Sequence, residues 1–152
     1  MDELRFTLNG RATTITAPPG EILADTLRDR LGLTGTKTAC REGECGSCTV
    51  LLDGEPVNSC MVLTAQVAER QVLTIEGVAG ADGDLHPLQQ AFIDAGAIQC
   101  GFCTPGMVLS GMALLRKNPR PSRDEIRHAI AGNLCRCTGY VKIVDAIEMA
   151  SK

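Results

Sequence analysis

The chain has no tryptophan, one tyrosine and three phenylalanines among its 152 residues. Its core must therefore be built from Leu, Ile, Val, Ala and Met rather than from stacked rings. Histidine occurs only at positions 86 and 128, and neither stands in a Cys-x-His arrangement. A Rieske-type centre with mixed imidazole and thiolate ligands is therefore unsupported. No apolar stretch approaches the length of a membrane span. The net charge of −3, without runs of one sign, lacks the basic stripe of a nucleic-acid surface. No G-x-G-x-x-G and no P-loop is present to cradle a phosphate. The N-terminus, MDELRFTLNG, is acidic at once and shows no apolar signal region, so the expected location is the cytoplasm.

What the sequence does have is cysteine, eight in all. Cytosolic thiols are normally kept reduced, so this many, grouped non-randomly, points to metal before disulfides. The first quartet is Cys40-x4-Cys45-x2-Cys48, followed by Cys60. This is the plant-type [2Fe-2S] spacing. Three thiolates on one short loop must wrap a compact cluster, and Gly43 and Gly46 permit the turns this needs. The fourth thiolate, Cys60, arrives from a neighbouring hairpin. The second quartet pairs Cys100-x2-Cys103 with Cys135-x-Cys137. From spacing alone it suits either a zinc S4 site or a second [2Fe-2S] cluster. Each pair sits just before a predicted helix. Helix N-termini stabilise negative charge, which a thiolate-ligated cluster carries and which favours the cluster. Arg136, between two of the thiols, could add to that or simply face solvent. Gln99 reads as a polar helix-end residue, both histidines as surface or helix-end residues, and Met107, Met112 and Met149 as core filling.

The pattern around these motifs divides the chain. Residues 1–76 read as strands around one helix, with Asn9-Gly10 and Asp53-Gly54 as hairpin turns. The predicted strands are Leu4 to Leu8, Thr13 to Ala17, Thr49 to Leu52, Val57 to Cys60 and Gln71 to Glu76. The helix is predicted over Glu21 to Leu31. Residues 77–84, rich in Gly, Ala and Asp, read as a linker. Residues 85–152 read as four helices: Leu85 to Ala95, Pro105 to Lys117, Ser122 to Ala131 and Tyr140 to Ala150. Pro105 suits a helix start, and Ser122 with Glu125 has capping-box spacing. The order helix, cysteine pair, Thr, helix occurs twice, which suggests two helix hairpins about an approximate two-fold axis.

Three segments carry a resemblance to a known family: Glu42-Gly-Glu-Cys45-Gly-Ser-Cys48-Thr-Val, Cys100-Gly-Phe-Cys103-Thr-Pro-Gly and Gly132-Asn-Leu-Cys135-Arg-Cys137-Thr-Gly-Tyr140. The chain resembles the small iron-sulfur subunit of the xanthine oxidase family of molybdenum hydroxylases over nearly its whole length. The loop Cys40-Arg-Glu-Gly-Glu-Cys45 is more similar to hydroxylase members than to carbon-monoxide dehydrogenases. The segments Leu115-Arg-Lys-Asn-Pro and Tyr140-Val-Lys-Ile are most similar to small subunits of 4-hydroxybenzoyl-CoA reductase and of nicotinate or xanthine dehydrogenase. The resemblance implies an α+β chain: a β-grasp, plant-type ferredoxin-like domain followed by a four-helix bundle. It also implies [2Fe-2S] rather than zinc at the second quartet.

By the same resemblance, Gln99 contacts the molybdopterin cofactor of a large partner subunit, and the Cys137 sulfur approaches the pterin amino group. A medium partner subunit carries FAD, in an (αβγ)2-type assembly. All cysteines are assigned as ligands, so none is free as a nucleophile and no catalytic residue is expected here. The expected function is a relay of single electrons from the molybdopterin site through two [2Fe-2S] clusters to FAD or another acceptor. The rival reading is a free-standing two-cluster ferredoxin.

Overall fold

The computed structural model describes residues 2–151. Its first half is a five-stranded mixed sheet: β1 (Asp2–Leu8), β2 (Arg11–Ala17), β3 (Thr49–Leu52), β4 (Glu55–Asn58) and β5 (Gln71–Leu73), in the order β2-β1-β5-β3-β4. Both predicted hairpins form. Asn9 and Gly10 have φ of 50° and 78°, and Asp53 and Gly54 have 52° and 85°. Two successive positive φ values are what a type I′ turn requires, and they match the twist of the flanking strands. β5 runs parallel to β1 and antiparallel to β3, so the last strand in sequence lies in the middle of the sheet.

The helix expected over residues 21–31 is shorter and wider. A single α turn, α1 (Leu23–Asp25), runs on as an i→i+5 turn over Thr26–Arg30, closed by Leu31 N–H on Thr26 C=O at 3.1 Å. Thr26 is fully buried, and its hydroxyl bonds both Glu21 and Thr64, which ties the turn sideways to the rest of the domain. Leu23 and Leu27 still bury their side chains with Phe6, Leu8, Val50, Leu52, Val67 and Val72. Two strands also fall short of expectation. β4 ends at Asn58, and Cys60 lies in a 3-10 turn, Ser59–Met61. β5 ends at Leu73, because Thr74 turns inward to bond Asn9 and the chain then enters a 3-10 turn.

The second half contains α2 (Pro87–Asp94), α3 (Thr104–Lys117), α4 (Arg123–Ala129) and α5 (Val141–Ala150). Their caps follow the sequence. His86 caps α2 by accepting from Leu88 N–H through Nδ1, and Ser122 with Glu125 forms the capping box of α4. His128 is exposed in the last turn of α4. The four helices touch in a ring, each packing on its neighbours in sequence and α2 packing on α5. Leu88, Phe92, Met107, Ile126, Ile143 and Ile147 fill the interior. Met112 is buried as expected, but Met149 is 45% exposed and fills no core.

The two halves share apolar contacts. α3 packs against β3, and Leu51 belongs to the helical core while its neighbours Val50 and Leu52 point into the sheet's own core. That is why β3 is buried at every position, with Val50, Leu51 and Leu52 apolar in a row.

Candidate metal centres

All eight cysteines are free thiols. Cys100, Cys103, Cys135 and Cys137 line one cleft, and of the first predicted set Cys40 lies beside Cys45 and Cys48 beside Cys60. The first set sits on the loop before β3. Here the backbone turns back on itself, and the Glu42 and Cys45 N–H groups donate to Cys40 Sγ at 3.4 and 3.3 Å. Donors aimed at one sulfur favour its thiolate, and they hold Cys40 down at about 6. Cys48 and Cys60 are buried side by side, and burial pushes Cys48 up to about 11. Ser59 holds that pair in place: its N–H and its hydroxyl both donate to Cys48 C=O, at 3.3 and 2.7 Å. The Ser47 hydroxyl lies 3.2 Å from Cys45 Sγ.

The second set surrounds an open cleft of about 480 Å³. Cys103 is the residue from which α3 starts, and Cys137 lies just before Tyr140, the cap of α5. Tyr140 takes a left-handed conformation, φ 69°, and its phenol oxygen accepts from Cys135 N–H at 3.0 Å. Thr138 adds a hydroxyl contact to Cys135 Sγ at 3.1 Å. Burial opposes ionisation of Cys135, yet the Thr138 contacts and neighbouring donors bring it below the ordinary thiol range. Burial and the Cys135 thiol push Cys103 up to about 12. Cys137 is raised chiefly by its contact with Cys100. Cys100 and Cys137 stand exposed at the mouth of the cleft, rimmed by the exposed side chains of Phe102 and Leu134. Gln99, next to Cys100, is exposed, as is Arg136.

By hydrogen bond the thiols pair as Cys40 with Cys45, Cys48 with Cys60, Cys103 with Cys135, and Cys100 with Cys137, and in the second set charge also couples Cys103 to Cys100 and Cys137 to Cys135. Among the described residues, no three Cys, His, Asp or Glu side chains converge as a single-ion site. Thiols paired in this way suit a binuclear centre, of which each pair would hold one iron. A tetrahedral zinc site would instead draw four sulfurs to one point. The donor set, all sulfur with hydroxyl and N–H donors beside it, fits an iron-sulfur cluster. The sequence reading did not single out Ser47, Ser59, Asn133, Thr138 or Tyr140. Ser59 was marked only by its place next to Cys60, and the other four only by lying in the ligand-bearing segments that carry the resemblance.

The halves join where the sets approach. Leu134 N–H donates to Cys45 C=O at 2.9 Å, so a residue next to one ligand motif is bonded to a residue of the other.

Residues 6–75 match the 2Fe-2S iron-sulfur cluster binding domain, and residues 74–148 match the [2Fe-2S] binding domain. Fold and thiol geometry thus define an iron-sulfur protein with two [2Fe-2S]-binding halves. The small FeS subunit of nicotinate dehydrogenase from Eubacterium barkeri is 52% identical over 97% of this chain and 93% of its own. Quinoline 2-oxidoreductase from Pseudomonas putida 86 contains a chain that superposes with a TM-score of 0.95. That chain is 45% identical, with 99% of this chain and 93% of that one covered. The aldehyde oxidoreductase of Desulfovibrio desulfuricans superposes equally well at 45% identity, but this chain spans only 17% of that polypeptide. The chain belongs to the iron-sulfur subunits of the xanthine oxidase family of molybdenum hydroxylases, and its role is electron transfer. Relatives of this kind are small subunits of multi-subunit complexes, so larger partner subunits are implied.

Proposed function

We propose that Cys40, Cys45, Cys48 and Cys60 hold one [2Fe-2S] cluster and that Cys100, Cys103, Cys135 and Cys137 hold the other. Each cluster, when bound, takes up and releases one electron. The chain then relays single electrons from a molybdopterin site on a large partner subunit to FAD on a medium one. The carrying observation is the unequal exposure of the two sets. Cys48 and Cys60 are sealed in the protein, whereas Cys100 and Cys137 open to the surface through an apolar rim. An electron entering from a neighbouring subunit enters most directly there. Cys137, exposed at that mouth, and Gln99, exposed next to Cys100 in sequence, are the residues we assign to contact with the pterin. The aldehyde oxidoreductase supports the docked reading, because there the equivalent unit is part of a much longer polypeptide.

The finer organisation follows. The working units are residues 1–76 and 85–152, with 77–84 as linker. The helical ring is a four-helix bundle of two hairpins about an approximate two-fold axis, with one cysteine pair from each hairpin. The holo complex is an (αβγ)2-type assembly in the cytoplasm, where thiols stay reduced until metal arrives. Among the described residues no helix is long and apolar enough to cross a membrane.

Purification from the native host tests this. The chain is expected to travel with a large molybdenum-containing and a medium flavin-containing subunit, and alone to show redox activity without substrate turnover. A species near 16 kDa, running alone with full iron, would make it a free-standing ferredoxin instead. Zinc with little iron would remove the cluster reading altogether.

Thr138 offers a graded test of the second set. Its hydroxyl hydrogen bond to a ligand sulfur should strengthen as the cluster gains negative charge. A gain of about 1 kcal/mol on reduction corresponds to about 40 mV for a one-electron couple. Thr138→Val is therefore expected to lower the potential of that cluster by an amount of this order, in a redox titration followed by EPR, and to leave the other cluster unmoved.

A further inference from the structure

We propose that Asn133 is a positioning residue for electron exchange between the two clusters, clamping the segments that carry them. This rests on the ligand assignment above. Asn133 is 5% exposed, yet its side chain bonds three residues on two other segments of the chain. Its amide donates to Gly46 C=O and to Thr49 Oγ1, both at 3.1 Å, and its carbonyl accepts from the Ser110 hydroxyl at 2.8 Å. Gly46 lies between Cys45 and Cys48 in the first ligand loop. Ser110 lies on α3, the helix that starts from Cys103. Asn133 itself lies two residues before Cys135.

One buried amide therefore bonds the first ligand loop and the helix behind Cys103, from a position within the second ligand loop. The Leu134 N–H bond to Cys45 C=O is the next rung of the same contact. The packing leaves no slack. A Cβ at Gly46 would come within 2.2 Å of Gly132 O, and one at Gly106 of α3 within 2.6 Å of Gly46 O and 3.0 Å of Asn133 Nδ2. A buried amide with both donors used, set in a contact that excludes a methyl group, fixes relative position as well as contributing stability. Its location between the ligand loops makes that position the inter-cluster distance.

The step it serves is simple in balance. One electron leaves the reduced cluster of the helical half and reduces the oxidised cluster of the β half. No bond forms or breaks and no proton moves. Tunnelling rate and magnetic coupling both fall steeply with distance, so small loosening is measurable.

The test uses Asn133→Ala and Ser110→Ala in the purified holo complex. Iron content and the individual EPR signals of the two clusters come first, followed by the magnetic splitting between the two when both are reduced. Electron equilibration between them after a one-electron pulse is then timed. Both variants are expected to keep wild-type iron and unchanged individual g values. The splitting is expected to shrink and equilibration to slow severalfold, more so in Asn133→Ala. Wild-type splitting and rate in an iron-replete Asn133→Ala protein would overturn the proposal. If that variant loses iron, Ser110→Ala decides: a reduced splitting supports the clamp, and a wild-type one overturns it. Iron-free wild-type protein would instead refute the ligand assignment beneath it.

Discussion

Replacing Cys60 by serine is expected to remove one cluster and spare the other, taking iron from about four per chain to about two. Cys60 is the one thiol of the first set that lies outside the loop of residues 40–48. It is 6% exposed, in a 3-10 turn pinned to Cys48 by the two Ser59 hydrogen bonds. A serine hydroxyl there has a shorter reach than a thiolate and must give up a proton far less readily before it can bind, so it is a poor replacement at a cluster built on thiolates. The surrounding fold offers no substitute ligand, because Cys60 is packed with Cys48, Ala24 and Ile22. The second set draws nothing from residues 40–60, so its signal should persist. Reduced-state EPR reads this directly: one of two inequivalent signals disappears. Retention of both at full intensity would place the fourth ligand elsewhere.

Gly46→Ala is expected to be among the most destabilising single-methyl changes in the molecule. Gly46 has φ of +70°, a conformation that costs an L-residue about 1 kcal/mol. The new Cβ would also meet Gly132 O at 2.2 Å, Asn133 Nδ2 at 2.9 Å and Asn133 Cα at 3.0 Å. Two of those three atoms are backbone and cannot rotate away. Overpacking of this kind costs about 1–3 kcal/mol, so the total is about 2–4 kcal/mol. For a chain of this size that lowers Tm by on the order of 10 °C. Gly54→Ala is the control. It has φ of +85° but nothing within 4 Å of its Cβ, so it pays only for conformation. Equal melting shifts for the two variants would mean that the seam between the halves contributes nothing.

The cysteine sets were legible because ligand spacing is local: a loop that must wrap a cluster writes its requirement into a few adjacent positions. The hairpin turns were legible for the same reason, since Asn-Gly and Asp-Gly mark left-handed φ. What escaped was decided at a distance. Thr26 reads as a helical residue, and only its partners at Glu21 and Thr64 explain why the helix widens after one turn. The strand expected to run to Glu76 stops at Leu73 because Thr74 is claimed by Asn9, sixty-five positions away. Met149 has the apolar character of a core residue but sits near the end of α5, where it is left 45% exposed. Asn133 stood in a ligand-bearing segment but its role was not legible, since an Asn after a Gly is ordinary turn chemistry until its three partners are seen.

The placement of β5 has a consequence for how the molecule is made. The middle strand of the sheet is the last one synthesised, and β1 waits for it through more than sixty residues. All four thiols of the first set have emerged from the ribosome before that strand arrives. The nascent chain therefore passes through a stage in which Cys40, Cys45, Cys48 and Cys60 are present but the sheet that seals two of them is incomplete. Metal delivered at that stage meets an open site. Metal delivered later finds Cys48 and Cys60 already buried.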